Sequence, residues 1–257
     1  LLGAIQAFDE DDQKDPRVVA CEEEYEDCFD KEDYVFALQQ AEKLVESRDN
    51  NAHYWMFKGV CLAELKRFEE ALASYDKSVE IKPDLYEAWY NRGVALRKLG
   101  RFEEAVASYD KSLEIKPDND SAWNNRGYAL TNLGRLEEAI TSYQKAIELN
   151  YNDRWALYWQ SNALYHLRRY EESLANYNKL IEFKFDSEYW RLFSNIQSIS
   201  LKSKSNPSYL FWYGRAISLF RLGRYMEAII SYKSFLISPN LYKDGFNLIK
   251  AITQRKL

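Results

Sequence analysis

Written in rows of 34, the chain brings its apolar, small and polar residues into register without a gap over residues 52–85, 86–119, 120–153 and 154–187. Trp55, Trp89 and Trp123 share the fourth place, and Gly59, Gly93 and Gly127 the eighth. Ala71, Ala105 and Ala139 share the twentieth, and Tyr75, Tyr109, Tyr143 and Tyr177 the twenty-fourth. A period of this length means one supersecondary unit repeated along the chain. The punctuation divides each row into two helices. In the row 86–119, Gly100 can take a left-handed conformation that stops the first helix, and Glu103 and Glu104 open the second, where carboxylates suit the helix dipole. Pro117 prevents its continuation.

Small residues in fixed columns have a steric meaning. Gly93 and Ala105 fall where paired helices should cross most closely, with Trp and Tyr filling the space beside them. Departures from the pattern mark irregular places. Ser161 and Ala216 replace the tight glycine, Ser173 replaces the small alanine, and Lys66 and Arg168 stand where a turn glycine belongs. The last two predict strained left-handed residues, each costing on the order of 1 kcal/mol. With Trp155 also displaced from its column, the row 154–187 is expected to be the least regular.

The register extends back over residues 18–51 as a degenerate row, with Ala37 in place but Cys21 and Tyr25 where Trp and Gly are expected. Forward it breaks: the next row, 209–242, begins 21 residues late and carries Trp212, Gly223, Ala228 and Tyr232. The insert 188–208 reads as a helix with Tyr189, Trp190, Phe193, Ile196 and Ile199 on one face. Residues 243–257, with Phe246, Ile249 and Ile252, read as a capping helix. Ahead of the rows, residues 1–15 combine Leu1, Ile5 and Phe8 with an acidic run and read as a disordered tail or linker.

The spacing, and above all the segment EAWYNRGVALRKLGRFEEAVASYDKSLEIKPD, resembles the tetratricopeptide repeat (TPR) family. The resemblance implies an all-α fold. The expected architecture is a right-handed αα superhelical solenoid of about six TPR helix pairs over residues 16–257, with an extra inserted helix and a C-terminal capping helix. It also implies that places 2, 5, 6, 9, 12 and 13 of each row line a concave groove. Carried over position by position, these are Glu22, Glu23, Glu26 and Asp30; Met56, Phe57 and Val60; Tyr90, Asn91, Arg97 and Lys98; Asn124, Asn125 and Tyr128; Trp155, Tyr158, Trp159, Asn162, Tyr165 and His166; and Tyr213, Ile217 and Phe220. The asparagines could pair with the main chain of a bound segment, and the aromatics could choose its side chains. The basic clamp with which chaperone-binding members of the family hold a terminal carboxylate is not matched. Its places are taken by Met56, Val60, Asn91, Ser121 and Asn125, of which Asn91 alone agrees.

Composition narrows the function classes. Tyr at 20, Phe at 13 and Trp at 7 supply aromatics for helix interfaces, whereas 9 Gly and 5 Pro are few, as an all-helical chain requires. A net charge of -5 without a basic stripe argues against nucleic acid or an anionic membrane as partner. Cys21, Cys28 and Cys61 lack metal-site spacing and favour a reducing, cytoplasmic setting. His53 and His166 lie far apart in sequence without a catalytic companion, and no phosphate-cradling loop is present, so neither catalysis nor a cofactor is expected. The chain therefore reads as a non-enzymatic scaffold that holds a protein or peptide segment in its groove. The alternative is the regulatory or sensor region of a larger signalling enzyme, and self-association through the N-terminal segment or the terminal helices is a further expectation.

Overall fold

A computed structural model describes residues 16–151, 153–182 and 208–236. The expected tail at 1–15 and capping helix at 243–257 lie outside the described residues, as does the expected inserted helix up to residue 207. Among the described residues there are twelve α-helices. In chain order they are α1 (Pro16–Asp30), α2 (Tyr34–Ser47), α3 (Ala52–Glu64), α4 (Phe68–Ile81), α5 (Tyr86–Lys98), α6 (Phe102–Ile115), α7 (Asp120–Asn132), α8 (Leu136–Leu149), α9 (Arg154–His166), α10 (Tyr170–Glu182), α11 (Ser208–Arg221) and α12 (Tyr225–Leu236). Two compact units divide them, residues 1–117 and 118–257. Within each unit, consecutive helices pack in pairs and each pair stacks on the next.

Local chemistry fixes the helix ends. Side chains cap α3 and α7: Asn51 Oδ1 accepts from the amides of His53 and Tyr54, and Asn119 Oδ1 from that of Ala122. Asp33 caps α2 at the amide of Phe36, whereas the second helices α4, α6 and α8 follow an arginine that makes no cap bond. Instead Arg67, Arg101, Arg135, Arg169 and Arg224 each fork onto the glutamate three residues on, Glu70, Glu104, Glu138, Glu172 and Glu227. Between the two helices of a pair, Gly100, Gly134 and Gly223 adopt φ near +75°, and the amide of Arg101 donates back to the Leu96 carbonyl at 2.9 Å. Lys66 and Arg168 hold the same conformation at φ +63°, as their place in the rows predicts. Glu32 does so at φ +60° in the first pair, where the pattern was too degenerate to show it.

Pairs close on one large and one small side chain. A Cβ added to Gly59, Gly93 or Gly127 would come within 2.5, 2.6 or 2.7 Å of the ring of Tyr75, Tyr109 or Tyr143, so the glycine admits the ring of the second helix. Ala71, Ala105 and Ala139 are fully buried beside this crossing. The first pair reverses the sizes. Tyr25 occupies the eighth place and Ala41 the twenty-fourth, and both are buried. Burial raises the Tyr25 phenol far above its usual range, and its hydroxyl pairs with the Cys61 thiol, which burial pushes up to about 12.

The fifth pair, α9–α10, departs in packing. Ser161 fills the glycine place and bonds its own helix at the Leu157 carbonyl, 2.6 Å away. The Tyr177 ring lies instead over Gly214 of α11, where a Cβ would stand 2.2 Å from its Cζ. Ser173 Oγ donates to the Ser161 carbonyl at 2.9 Å and lies 3.3 Å from Ser218 Oγ of α11. Leu174, Leu219 and Ala228 form a shared apolar cluster. Thus α11 packs on α10 as α9 packs on α8, and the connection through 183–207 leaves the stacking unbroken. Elsewhere four residues join one pair to the next, for example 116–119.

Two variants probe these constraints. Gly127→Ala is expected to lower the thermal midpoint, because a clash of about 1–3 kcal/mol outweighs a helix-propensity gain of about 1 kcal/mol. The sign should reverse in a Tyr143→Leu background, where the ring is gone. Arg168→Gly, relieving a left-handed residue, should raise the midpoint by the equivalent of about 1 kcal/mol.

Candidate functional site

First helices of successive pairs touch one another as well as their partners: α3 meets α5, and α9 meets both α7 and α11. They form a wall in each unit. In the second unit this wall carries an aromatic chain. Tyr128 of α7 meets Trp159 of α9 edge-to-face at 5.5 Å, Trp159 meets Tyr158 at 5.2 Å, and Tyr158 meets Trp155 at 6.4 Å. Such geometry suits aromatic quadrupoles and keeps the rings in fixed mutual orientation. Tyr158 also leans on Phe211 of α11 at 5.7 Å and on Tyr177 at 6.4 Å, so its ring belongs partly to the seam between pairs. All four rings of the chain remain half-buried.

The other candidates distribute around this chain. Tyr165 packs on His166 and Tyr170, and its hydroxyl accepts from Arg221 Nε at 3.1 Å. Phe220 turns onto Tyr225 and the cluster of Leu174, Leu219 and Ala228. Tyr213 is exposed. Tyr90 and Asn91 lie in the first unit, where Tyr90 tilts against Tyr109 at 6.1 Å. Met56, Phe57 and Val60, expected on the groove, are buried instead, because the first pair covers them: Phe57 stacks on Tyr25 at 4.8 Å. Of the two cations Arg97 and Lys98, Lys98 is held below its usual range by burial and by the neighbouring Arg97 charge. Cys21 and Cys28 pack against the core of the first unit, as helix-interface residues would.

Two asparagines on the wall are held by buried partners that the sequence did not reveal. Asn124 Nδ2 donates to Asp153 Oδ2 at 3.0 Å. Asp153 caps α9, accepting from the amides of Trp155 and Ala156 on Oδ1. Burial raises its pKa above the usual carboxylate range despite these bonds, with nearby Asp120 adding to the shift. Asn162 Oδ1 accepts from the Tyr177 hydroxyl at 2.8 Å. Burial drives Tyr177 well above the ordinary phenol range, so that hydroxyl keeps its proton at neutral pH. An Asp placed three residues before a helical alanine was a readable cap; its reach across to Asn124 was not. Asn125 is half-buried on the same face of α7.

Among the described residues, no group of three or more His, Cys, Asp or Glu could hold a metal ion, and no helix is long and apolar enough to cross a membrane.

With the fold and the wall defined, comparison places the chain in a class: it is a tetratricopeptide repeat protein. A tetratricopeptide repeat model matches residues 86–119 and 121–150, and a second TPR repeat model matches residues 61–100. No match to a curated protein was found. Among solved structures, YrrB, described as a TPR protein with an unusual peptide-binding site, is 18% identical over 82% of this chain and 97% of its own, with a TM-score of 0.66. MamA from Desulfovibrio magneticus RS-1 is 18% identical over 65% of this chain and 95% of its own, at 0.62. A MamA AMB-1 structure is 22% identical over 66% of this chain and 100% of its own, at 0.58. At these identities the likeness is one of fold.

The Asp153 site makes a pH-dependent prediction. A carboxyl raised in the folded state favours the protonated form there, so its contribution to stability declines as pH rises from the unfolded value to the higher folded one. Asp153→Asn keeps a cap acceptor without the buried charge. It should therefore be at least as stable as the parent at pH 7, with the advantage shrinking on acidification in thermal melts. Asp153→Ala, which loses the cap, should cost about 1 kcal/mol.

Proposed function

We propose that the chain is a non-enzymatic interaction module whose second unit holds a peptide segment of a partner protein against the α7–α9–α11 wall. The observation that carries this reading is the half-buried aromatic chain Tyr128–Trp159–Tyr158–Trp155. The crossings are filled by other rings: in the fourth pair Gly127 admits Tyr143, and Tyr177 of the fifth packs on Gly214 of the next helix. Rings held in fixed orientation but left half open can bury a partner's apolar side chain at little further entropic cost. Asn125, Asn124 and Asn162 lie beside them as polar groups for main-chain contact, and Tyr165, His166, Tyr213 and Phe220 extend the wall. Tyr90 and Asn91 offer the same chemistry on the first unit. That YrrB, a protein of the same fold, is described as having a peptide-binding site supports the choice of ligand class.

The test is selection of a dodecapeptide from a random displayed library on the intact chain, followed by fluorescence anisotropy with the labelled peptide. Trp159→Ala should leave helicity and cooperative melting in place and weaken binding about thirtyfold, the equivalent of about 2 kcal/mol. Tyr158→Ala is a poorer probe, because Tyr158 also packs on Phe211 and Tyr177. Failure to select any binder, or selected peptides that ignore Trp159→Ala, would overturn the reading.

A further inference from the structure

Resting on the peptide-binding reading of the wall, we infer that Asn124 and Asn162 present opposite and fixed hydrogen-bond polarity. Asn124 offers an acceptor and Asn162 a donor, so the bound segment must place a main-chain N–H opposite the first and a C=O opposite the second.

The polarity follows from the partners behind each amide. Asp153 Oδ2 accepts from Asn124 Nδ2 at 3.0 Å, which turns that Nδ2 inward and leaves the lone pairs of Oδ1 for a ligand. Asp153 is itself locked by the two backbone amides at the start of α9, and cannot turn to release Asn124 without uncapping that helix. At Asn162 the sense is reversed. The buried Tyr177 hydroxyl needs an acceptor for its proton and finds one in Asn162 Oδ1 at 2.8 Å, which leaves the Nδ2 group to the ligand. The Asn162 amide also stands beside the Tyr158 hydroxyl, but Nδ2 carries two N–H groups, so one remains. Both residues are half-buried.

Register places the two amides on either side of the aromatic contact. Asn124 sits at the fifth place of its row, level with Tyr158, and Asn162 at the ninth, level with Tyr128. One helical turn along the axis is about 5–6 Å, and packed helices lie about 8–10 Å apart, so the two amides stand diagonally about 10–12 Å from each other. At about 3.3 Å per residue this is the span of three to four residues of extended chain. The wall therefore presents partial negative charge at one point, partial positive charge at another, and the Tyr128–Trp159 pair between them. This is electrostatically complementary to an extended peptide that buries one apolar side chain between a free N–H and a free C=O. A proline or N-methylated residue opposite Asn124 is excluded, because it has no hydrogen to donate.

The experiment uses the dodecapeptide selected above and a series in which each peptide bond is N-methylated in turn. With the parent chain, one position on the anchor's flank should lose at least tenfold in affinity. In Asn124→Leu, which leaves the cap of α9 intact, that position should lose its sensitivity while the others keep theirs. Asn162→Asp still accepts from Tyr177 but offers no donor at neutral pH. Its affinity should fall at least tenfold at pH 7.5 and recover on acidification, where a protonated carboxyl donates again, with the parent measured at each pH. Unchanged affinity in Asn162→Asp, or a methylation profile identical in Asn124→Leu and the parent, overturns the inference. If Trp159→Ala still abolishes binding in that case, only the polarity is wrong. If Trp159→Ala binds normally, the wall itself is not the site.

Discussion

Everything in this stack depends on how closely two helices of a pair can approach, and that is set by one contact between a ring and a position with no room for a side chain. Gly59, Gly93 and Gly127 each accept the tyrosine sixteen residues on, with fully buried alanines beside the crossing. In the first pair the large and small residues exchange places, with Tyr25 at the glycine position and Ala41 at the tyrosine position, both buried. Once the approach is fixed, the polar links between pairs fall into reach. Arg92 reaches Asp76 of the preceding pair and Ser108 of its own, each at 2.7 Å. Arg215 in the same way joins Asn178 and Ser231.

When the contact is altered, the change propagates. Ser161 stands at the glycine place of its pair, and the Tyr177 ring packs closely over Gly214 of the following helix. The arginine is absent there too: Gln160 bonds Gln144 on one side and accepts from Asn176 on the other, so an uncharged network replaces the ion pair. The hydroxyl of the displaced Tyr177 is what fixes Asn162. One substitution at a steric position thus ends in the chemistry of the exposed wall.

Much of the fold was legible because the repeat is a column of steric requirements, and these show in sequence as identical residues at a constant interval. The turn residues Lys66 and Arg168 were legible for the same reason, since a left-handed position betrays itself when glycine is missing. Glu32 was not, because its row retains too few column residues. The wall was legible only as positions. Sequence register assigned Met56, Phe57 and Val60 to the ligand side, but all three join the core of the first unit, where Tyr25 of α1 stacks on Phe57, a choice made by packing between pairs that no single row encodes. Likewise, register found Asn124 and Asn162, whereas the identity of the atom each one offers depends on Asp153 and Tyr177, 29 and 15 residues away.

The long connection between α10 and α11 has a consequence for the placement of the last pair. A four-residue turn leaves the next pair little choice of position, so docking and chain reversal are one event. Because α10 ends at Glu182 and α11 begins at Ser208, no such turn sets where α11 docks, and its contacts with α10 do. The pair α11–α12 is then placed by the side chains it meets on α10. Among them are Tyr177, Ser173 and Leu174. The seat of Phe211 and Gly214 therefore carries a placement that, between the other described pairs of each unit, a four-residue turn shares.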